Sequence, residues 1–135
     1  MPVNSVYISP TFVTPEVNFN TAENEYFISG KSILMDVNEF YAPLLEWMEQ
    51  FAATESNPVR FSFRVTHCNL PSAKRLMLMV YILNTMHKRT GNLQVVWHYC
   101  MEDEGMQELG EELQSLFGEH ISLQPYHMYS LSKAG

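Results

Sequence analysis

The residues best placed for chemistry lie where a predicted strand meets a predicted helix: Asn69, Leu70, Pro71, Ser72 and, one position beyond Ala73, Lys74. Asn69 is a favoured N-cap, and Pro71 is tolerated in a first helical turn. Unpaired N–H groups and the helix dipole favour an anion there, so a phosphate on a nearby hydroxyl would be stabilised. The residues alone allow two interpretations: a well-made helix start, or a phosphoacceptor or partner-docking point with Ser72 as the nearest hydroxyl.

A second candidate set consists of His67, Cys68, His98 and Cys100 at the ends of two predicted strands. Two histidines and two cysteines could bind zinc, and a cysteine just before a helix could act as a thiolate nucleophile. However, successive strand residues point to opposite faces, and the spacing lacks C-x₂-C or H-x₃-H pairs. No orienting carboxylate can be assigned, so neither a metal site nor a catalytic residue is predicted.

Composition limits the classes of partner. The chain has 135 residues and a net charge of −7, from 15 acidic residues against 8 Lys and Arg. Without a basic cluster, nucleic acid and anionic membrane are not expected partners. Residues 1–5 have no signal-peptide character and no run is apolar enough to span a membrane, so we expect a cytoplasmic protein with reduced thiols.

Periodicity and turn signals divide the chain into alternating elements. The predicted elements are an edge strand at 5–9, a hairpin of 17–20 and 26–29 ended by Gly30, a helix from the N-cap Asp36 to about 53, a strand at 59–65, a helix at 70–88 before Gly91, a strand at 93–99, a helix from Asp103 to Gly118, and strand pieces at 121–123 and 126–129 interrupted at Pro125. Pro43 predicts either a kink in the first helix or a helix start near Ala42.

This order predicts one α/β domain over residues 1–135. We expect a mostly parallel or mixed sheet, an N-terminal antiparallel hairpin and about three main helices packed on the sheet. Right-handed crossovers would bring the carboxyl ends of the strands near 59–66 and 93–98 to the same edge, where both candidate sites lie.

Several stretches resemble one known family in order and spacing: TPEV at 14–17, FISGKS at 27–32, EFYAPLLEW at 39–47, VWHY at 96–99 and MQELGEE at 106–112, together with the Asn69 junction. On these residues the chain resembles the SiaC family of bacterial regulatory phosphoproteins. The resemblance implies a STAS-like fold, similar to anti-sigma-factor antagonists. It also implies a partner switch in place of an enzyme, and no cofactor.

In that family, an anti-sigma-type Ser/Thr kinase phosphorylates the protein and a PP2C-like phosphatase removes the phosphate. The unphosphorylated form binds and activates a diguanylate cyclase, which raises cyclic di-GMP and promotes aggregation or biofilm formation. The resemblance therefore implies all three proteins as partners. A STAS-like scaffold for a different signalling partner, and an enzyme built on Cys68, His98 and Cys100, are the alternatives.

The acceptor position is where this chain departs from the family. The family junction reads Asn-Thr-x-Ser with the threonine as acceptor, whereas here Leu70 follows Asn69. Phosphorylation has then either moved to Ser72, about 200° away around the helix, or been lost. Of these we favour loss, with the surface of Asn69, Leu70, Pro71, Ser72 and Lys74 kept for partner binding.

Overall fold

The computed structural model describes residues 3–127 as a six-stranded sheet with three helices. The elements are β1 (Val6–Ile8), β2 (Glu16–Asn20), β3 (Glu25–Ser32), α1 (Val37–Thr54), β4 (Val59–Cys68), α2 (Leu70–Thr90), β5 (Leu93–Cys100), α3 (Glu104–Phe117) and β6 (Ile121–Tyr126). Strands β1, β2 and β3 pair antiparallel, and β3, β4, β5 and β6 pair parallel. The predicted mixed sheet with an N-terminal antiparallel hairpin and three helices is confirmed.

The strands lie in the sheet in the same order as in the chain. Right-handed crossovers that always step in one direction place their helices on a single face of the sheet. Burial agrees with this arrangement. Alternate strand residues such as Phe19, Phe61 and Trp97 are fully buried beneath the helices, whereas Arg60 and Gln94 on the opposite face are exposed. The sheet therefore has one covered face and one polar face.

Aromatic side chains hold α1 against the first strands. The ring of Trp47 packs on those of Phe19 and Phe51, with centroids 4.5 and 4.8 Å apart, and its Nε1 donates to the carbonyl of Asn4. These contacts hold the middle of α1 against β2 and the segment before β1.

Strand β3 continues past the residue that was predicted to end it. Gly30, with φ of 113°, lies beside a shift in the pairing register of β3 with β4, and the strand extends to Ser32. A glycine adopts this φ without the Cβ strain that other residues meet. The extension brings Ser32 opposite Cys68, directly beneath the junction before α2.

Helix α1 runs through Pro43 without interruption, so the alternative start near Ala42 is wrong. Asp36 is the N-cap, as predicted, and its Oδ1 accepts from the Glu39 N–H at 3.1 Å. Pro43 and Glu39 are both exposed, so water can satisfy the Glu39 carbonyl that loses its helical donor.

Strand β6 also runs through its proline. Pro125 pairs in register with Tyr99, and the strand continues to Tyr126, so the predicted interruption is wrong. Because β6 is at the edge of the described sheet, the missing N–H of Pro125 is tolerated. The predicted strand residues 128 and 129 lie outside the described residues. In the part of the chain that the structure describes, no helix is both long and apolar enough to cross a membrane.

Candidate functional site

Asn69 connects three segments at the junction between β4 and α2. Its Oδ1 accepts from the Ser72 N–H at 3.1 Å, which makes it the N-cap of α2 as predicted. Its Nδ2 donates to the carbonyl of Leu34 at 2.9 Å, and its backbone N–H donates to the carbonyl of Ser32 at 3.1 Å. This one residue therefore fixes the helix start against both the end of β3, through its backbone, and the loop that follows, through its side chain.

The solvent-facing side of the first turn of α2 begins with an apolar residue. Leu70, the first residue of α2, is 68% exposed, and Pro71 and Lys74 are exposed beside it. Leu70 and Lys74 are four residues apart and therefore lie on the same side of the helix. The side chain at position 70, where the resemblance places the family's acceptor, is thus presented to solvent.

Ser72 points in the opposite direction and is fully buried. Its hydroxyl accepts from the Ser32 hydroxyl at 2.7 Å, and the Ser32 oxygen lies 2.6 Å from the Tyr41 hydroxyl. Because Ser32 gives its own proton to Ser72, Tyr41 donates to Ser32. Burial raises the pKa of Tyr41 to about 12, so the phenol keeps the proton that this chain of hydroxyls needs.

The burial of Ser72 bears on the prediction that phosphorylation has moved there. A kinase could not reach this hydroxyl unless the first turn of α2 opened. A phosphate would also put about −1.5 to −2 charges in a buried site. In this conformation the Ser72 hydroxyl is not accessible from solvent.

The cysteines show no sign of activation. Burial, assisted by the Asp103 carboxylate, raises the pKa of the Cys68 thiol to about 11, opposite to the shift that a nucleophilic thiolate needs. The Cys100 thiol lies 2.8 Å from the Glu102 carboxylate. His98 lies on the polar face of the sheet, where burial and the nearby Arg64 lower its pKa. Within residues 3–127, no three His, Cys, Asp or Glu side chains are grouped so that they could hold a metal ion.

Sequence reasoning missed Ser32 and Tyr41 as supports of the junction. Ser32 was missed because the strand was ended two residues too early, at Gly30. Tyr41 gave only a helical-periodicity signal, which predicts burial but no hydrogen-bond partner. Tyr26, Ile28 and Ser32 are all buried, but the register shift at Gly30 separates Ser32 from the other two. That these three residues face the same side is recognisable only once the pairing of β3 with β4 is known.

The structure defines an α/β domain with a mixed sheet, helices on one face and an exposed first turn on a capped helix. Residues 8–126 match the SiaC family of regulatory phosphoproteins, and the chain belongs to that family. It is also similar to an uncharacterised protein of Pseudomonas aeruginosa strain UCBPP-PA14, with 24% identity over 110 residues that cover 82% of this chain and 87% of that protein.

Two solved structures show the same fold. SiaC of Pseudomonas aeruginosa superposes with a TM-score of 0.80 at 22% identity, covering 92% of this chain and all of that one. SiaC in the crystal structure of the diguanylate cyclase SiaD with its activator SiaC, from the same organism, has a TM-score of 0.80 at 23% identity and covers 90% and 99% of the two chains.

Proposed function

We propose that this chain is a non-enzymatic cytoplasmic regulator that binds and activates a diguanylate cyclase. Membership of the SiaC family supports the class, and the structurally similar SiaC of Pseudomonas aeruginosa is described as the activator of the cyclase SiaD. The observation that carries the proposal is Leu70, exposed at the capped start of α2 in the position where the family carries its acceptor. Activation raises cyclic di-GMP and thereby favours aggregation or biofilm formation.

Leu70 suits a binding surface that works without a phosphate. Removing an exposed leucine side chain from water stabilises a complex by about 1.5–3 kcal/mol where burial is complete. A charged group at position 70 would lose its water on binding and would face a partner surface that complements an uncharged group. The free energy of binding would therefore become less favourable. Partner binding is therefore favoured by leucine and opposed by an acidic group at position 70.

The proposal includes a loss of regulation at this junction. Leu70 has no hydroxyl and Ser72 has no access to solvent, so an anti-sigma-type kinase finds no acceptor atom here. A PP2C-like phosphatase likewise has no phosphate to remove from it. The chain then stays competent for binding whatever the activity of these two enzymes.

Binding and activation are tested directly with the purified chain and each full-length diguanylate cyclase of the source organism. We expect one cyclase to bind the chain and to convert GTP to cyclic di-GMP faster in its presence. Failure of every cyclase to bind would overturn the proposed function. Binding without a change in cyclase activity would overturn the activating role.

The loss of phosphorylation is tested by intact mass. After incubation with an anti-sigma-type kinase and ATP, we expect no mass gain in the wild-type chain. Leu70→Thr restores a hydroxyl at the exposed position and should gain one phosphate, which serves as the positive control for the kinase. A phosphate on wild-type Ser72 would contradict the proposed loss.

A further inference from the structure

The polar face of the sheet, on the side away from the helices, carries a trough that crosses the strands. The pairing register places one row of short or flat side chains along the middle of this face: Asn18, Phe27, Ser62, Val96 and Ser122. Longer side chains lie on both sides of that row. Arg60 and Gln94 are on one side, and Arg64, His98 and Gln124 are on the other. The middle row is therefore the floor of the trough, and the longer side chains form its walls.

Two adjoining cavities occupy the trough. One has a volume of about 480 Å³ and extends from β2 to β5, and the other has a volume of about 510 Å³ and extends from β4 to β6. Arg60, Ser62 and His98 line both cavities, so the two meet over the middle of β4. Concave sites of this size with a few convergent polar groups are typical of small-molecule binding.

Two arginines of β4 flank Ser62. Because successive residues of a strand are about 3.3 Å apart, the Cα atoms of Arg60 and Arg64 are separated by about 13 Å, and their long side chains can meet above Ser62. Neither arginine forms an ion pair with any residue of the described range 3–127, although the chain carries 15 acidic residues. The trough therefore holds two uncompensated positive charges in a protein of net charge −7, and these charges attract an anion.

Neighbouring side chains orient both arginines. The Arg64 guanidinium lies over the ring of Tyr126, 4.5 Å from its centroid, and Arg60 Nε donates to Gln94 Oε1 at 3.4 Å. These contacts use the flat side of one guanidinium and the Nε of the other, so the terminal N–H groups of both remain for a ligand. Guanidinium groups bind phosphate through two parallel N–H donors, which makes a phosphate the anion that suits this pair.

The end of the trough near β2 and β3 has a different chemistry. Phe27 lies half-buried in the floor there, and Glu16 and Glu25 line the same cavity. The two carboxylates accept from the Tyr7 hydroxyl at 2.7 Å and from the Asn18 amide at 2.8 Å, and each has acceptor capacity left. An aromatic ring on the open face of a sheet can stack a nucleobase, and a carboxylate can accept from the amino group of the base.

We propose that this trough binds a single nucleoside phosphate, with the phosphate between Arg60 and Arg64 and the base on Phe27. Inorganic phosphate alone would leave the aromatic floor and the carboxylates without a partner, and a cation would be repelled by the arginines. A phosphate joined to an amino-bearing base matches both ends of the trough. The trough lies on the face of the sheet away from α2, so this inference does not depend on the proposed function.

The phosphate contact is tested by calorimetric titration of the purified chain with GMP and AMP. We expect binding by the wild type, and a loss of affinity of at least about tenfold when Arg60→Gln is combined with Arg64→Gln. Arg75→Gln combined with Lys88→Gln is the matched control, because it removes the same charge from α2 on the other side of the sheet. The control should bind like the wild type. No binding of either nucleotide at millimolar concentration, or equal losses in the two double variants, would overturn the proposal.

The base contact is tested with Phe27→Leu, which keeps an apolar side chain in the floor but removes the ring. This variant should bind GMP at least about fivefold more weakly than the wild type, because stacking is lost. Its affinity for inorganic phosphate should not change, since both arginines are intact. Inorganic phosphate that binds the wild type as tightly as GMP does, or a Phe27→Leu variant with unchanged GMP affinity, would overturn the assignment to a nucleotide.

The exocyclic amino group of the base gives a further test. UMP carries the same phosphate as GMP on a base without an amino group, so the wild type should bind UMP more weakly. Glu25→Gln should reduce the preference for GMP over UMP, because an amide oxygen is a weaker acceptor than a carboxylate. Equal affinities of the wild type for GMP and UMP would contradict the orientation that places the base beside the carboxylates.

Discussion

Three hydroxyls beneath α2 act as one unit. Tyr41 donates to Ser32, and Ser32 donates to Ser72, which leaves each oxygen paired although all three residues are buried. A buried polar group that loses its partner is costly, because it has given up water without compensation. The central serine therefore matters more than either end, since its removal leaves two hydroxyls unpaired.

We expect Ser32→Ala to lower the free energy of unfolding by about 1–3 kcal/mol, measured by urea denaturation. Ser62→Ala is the matched control, because Ser62 lies on the polar face of the sheet and makes no side-chain hydrogen bond within the described residues. It should change stability by less than about 0.5 kcal/mol. Equal losses in the two variants would contradict the role of the buried hydroxyl chain.

At the residue scale, the sequence predicted that Asn69 caps α2, but not which of the neighbouring side chains, Leu70 or Ser72, faces the core. Asn69 could be identified because capping depends on a few adjacent residues. Helical geometry also predicted that positions 70 and 72 face different ways. Which of them faces inward depends on Ser32, forty residues away, and no local signal contains that contact.

The packing of α3 on the sheet depends on a glycine. A Cβ added at Gly110 would lie 2.5 Å from Cδ1 and 2.9 Å from Nε1 of the Trp97 ring. That indole cannot easily retreat, because it is fully buried and its Nε1 donates to the Met106 carbonyl at 3.0 Å. Gly110 therefore permits the close approach of α3 to β5.

Gly110→Ala should consequently lower the free energy of unfolding by about 1–3 kcal/mol, as overpacking of a core does. Gly105→Ala tests the same change in the first turn of the same helix, where the nearest atom, Asp103 Oδ1, is an ordinary 3.5 Å away. There, the better helix propensity of alanine should leave stability unchanged or raise it by up to about 1 kcal/mol. A Gly110→Ala variant as stable as Gly105→Ala would show that α3 can shift freely.

Helices were easier to predict than strand ends, for a physical reason. The predicted N-caps Asp36 and Asn69 are confirmed, and Asp103, predicted to begin the third helix, is the N-cap of α3. Each side chain accepts from the backbone N–H three residues later. Strand ends depend on the neighbouring strand. Both β3 beyond Gly30 and β6 beyond Pro125 continue because a paired strand extends that far, which local turn signals could not show.

At the scale of the whole molecule, stability should depend on pH through two histidines. Burial and Arg64 lower the pKa of His98, and burial and the stacked ring of His87, 3.6 Å away, lower the pKa of His120. Below the ordinary histidine pKa of 6.5, the unfolded chain then binds more protons than the folded chain. Stability is therefore retained above that pH and lost as the pH falls through it.

We expect the free energy of unfolding in urea to be lower at pH 5.5 than at pH 7.5. A variant carrying His98→Gln and His120→Gln should lose less stability between these two pH values than the wild type does. Constant or rising stability on acidification of the wild type would contradict the assignment to these histidines.

The architecture as a whole was predictable, but the order of the strands was not. The strict alternation of β4, with Arg60, Ser62 and Arg64 between buried residues, is typical of a sheet with one solvated face. Chain-order pairing places α1, α2 and α3 together on the other face and brings the loop before α1 beside the start of α2. The junction surface depends on that order, which no pattern in the sequence specified.

The central claim is that an uncharged Leu70 at the start of α2 forms the contact with a diguanylate cyclase. Calorimetric titration of the cyclase with the wild-type chain and with Leu70→Glu tests it most directly, with Leu78→Glu as the same substitution at another exposed leucine of α2. We expect the wild type and Leu78→Glu to bind, and Leu70→Glu to lose measurable binding while its unfolding free energy stays within about 0.5 kcal/mol of the wild type. A Leu70→Glu variant that binds the cyclase as tightly as the wild type would contradict the claim.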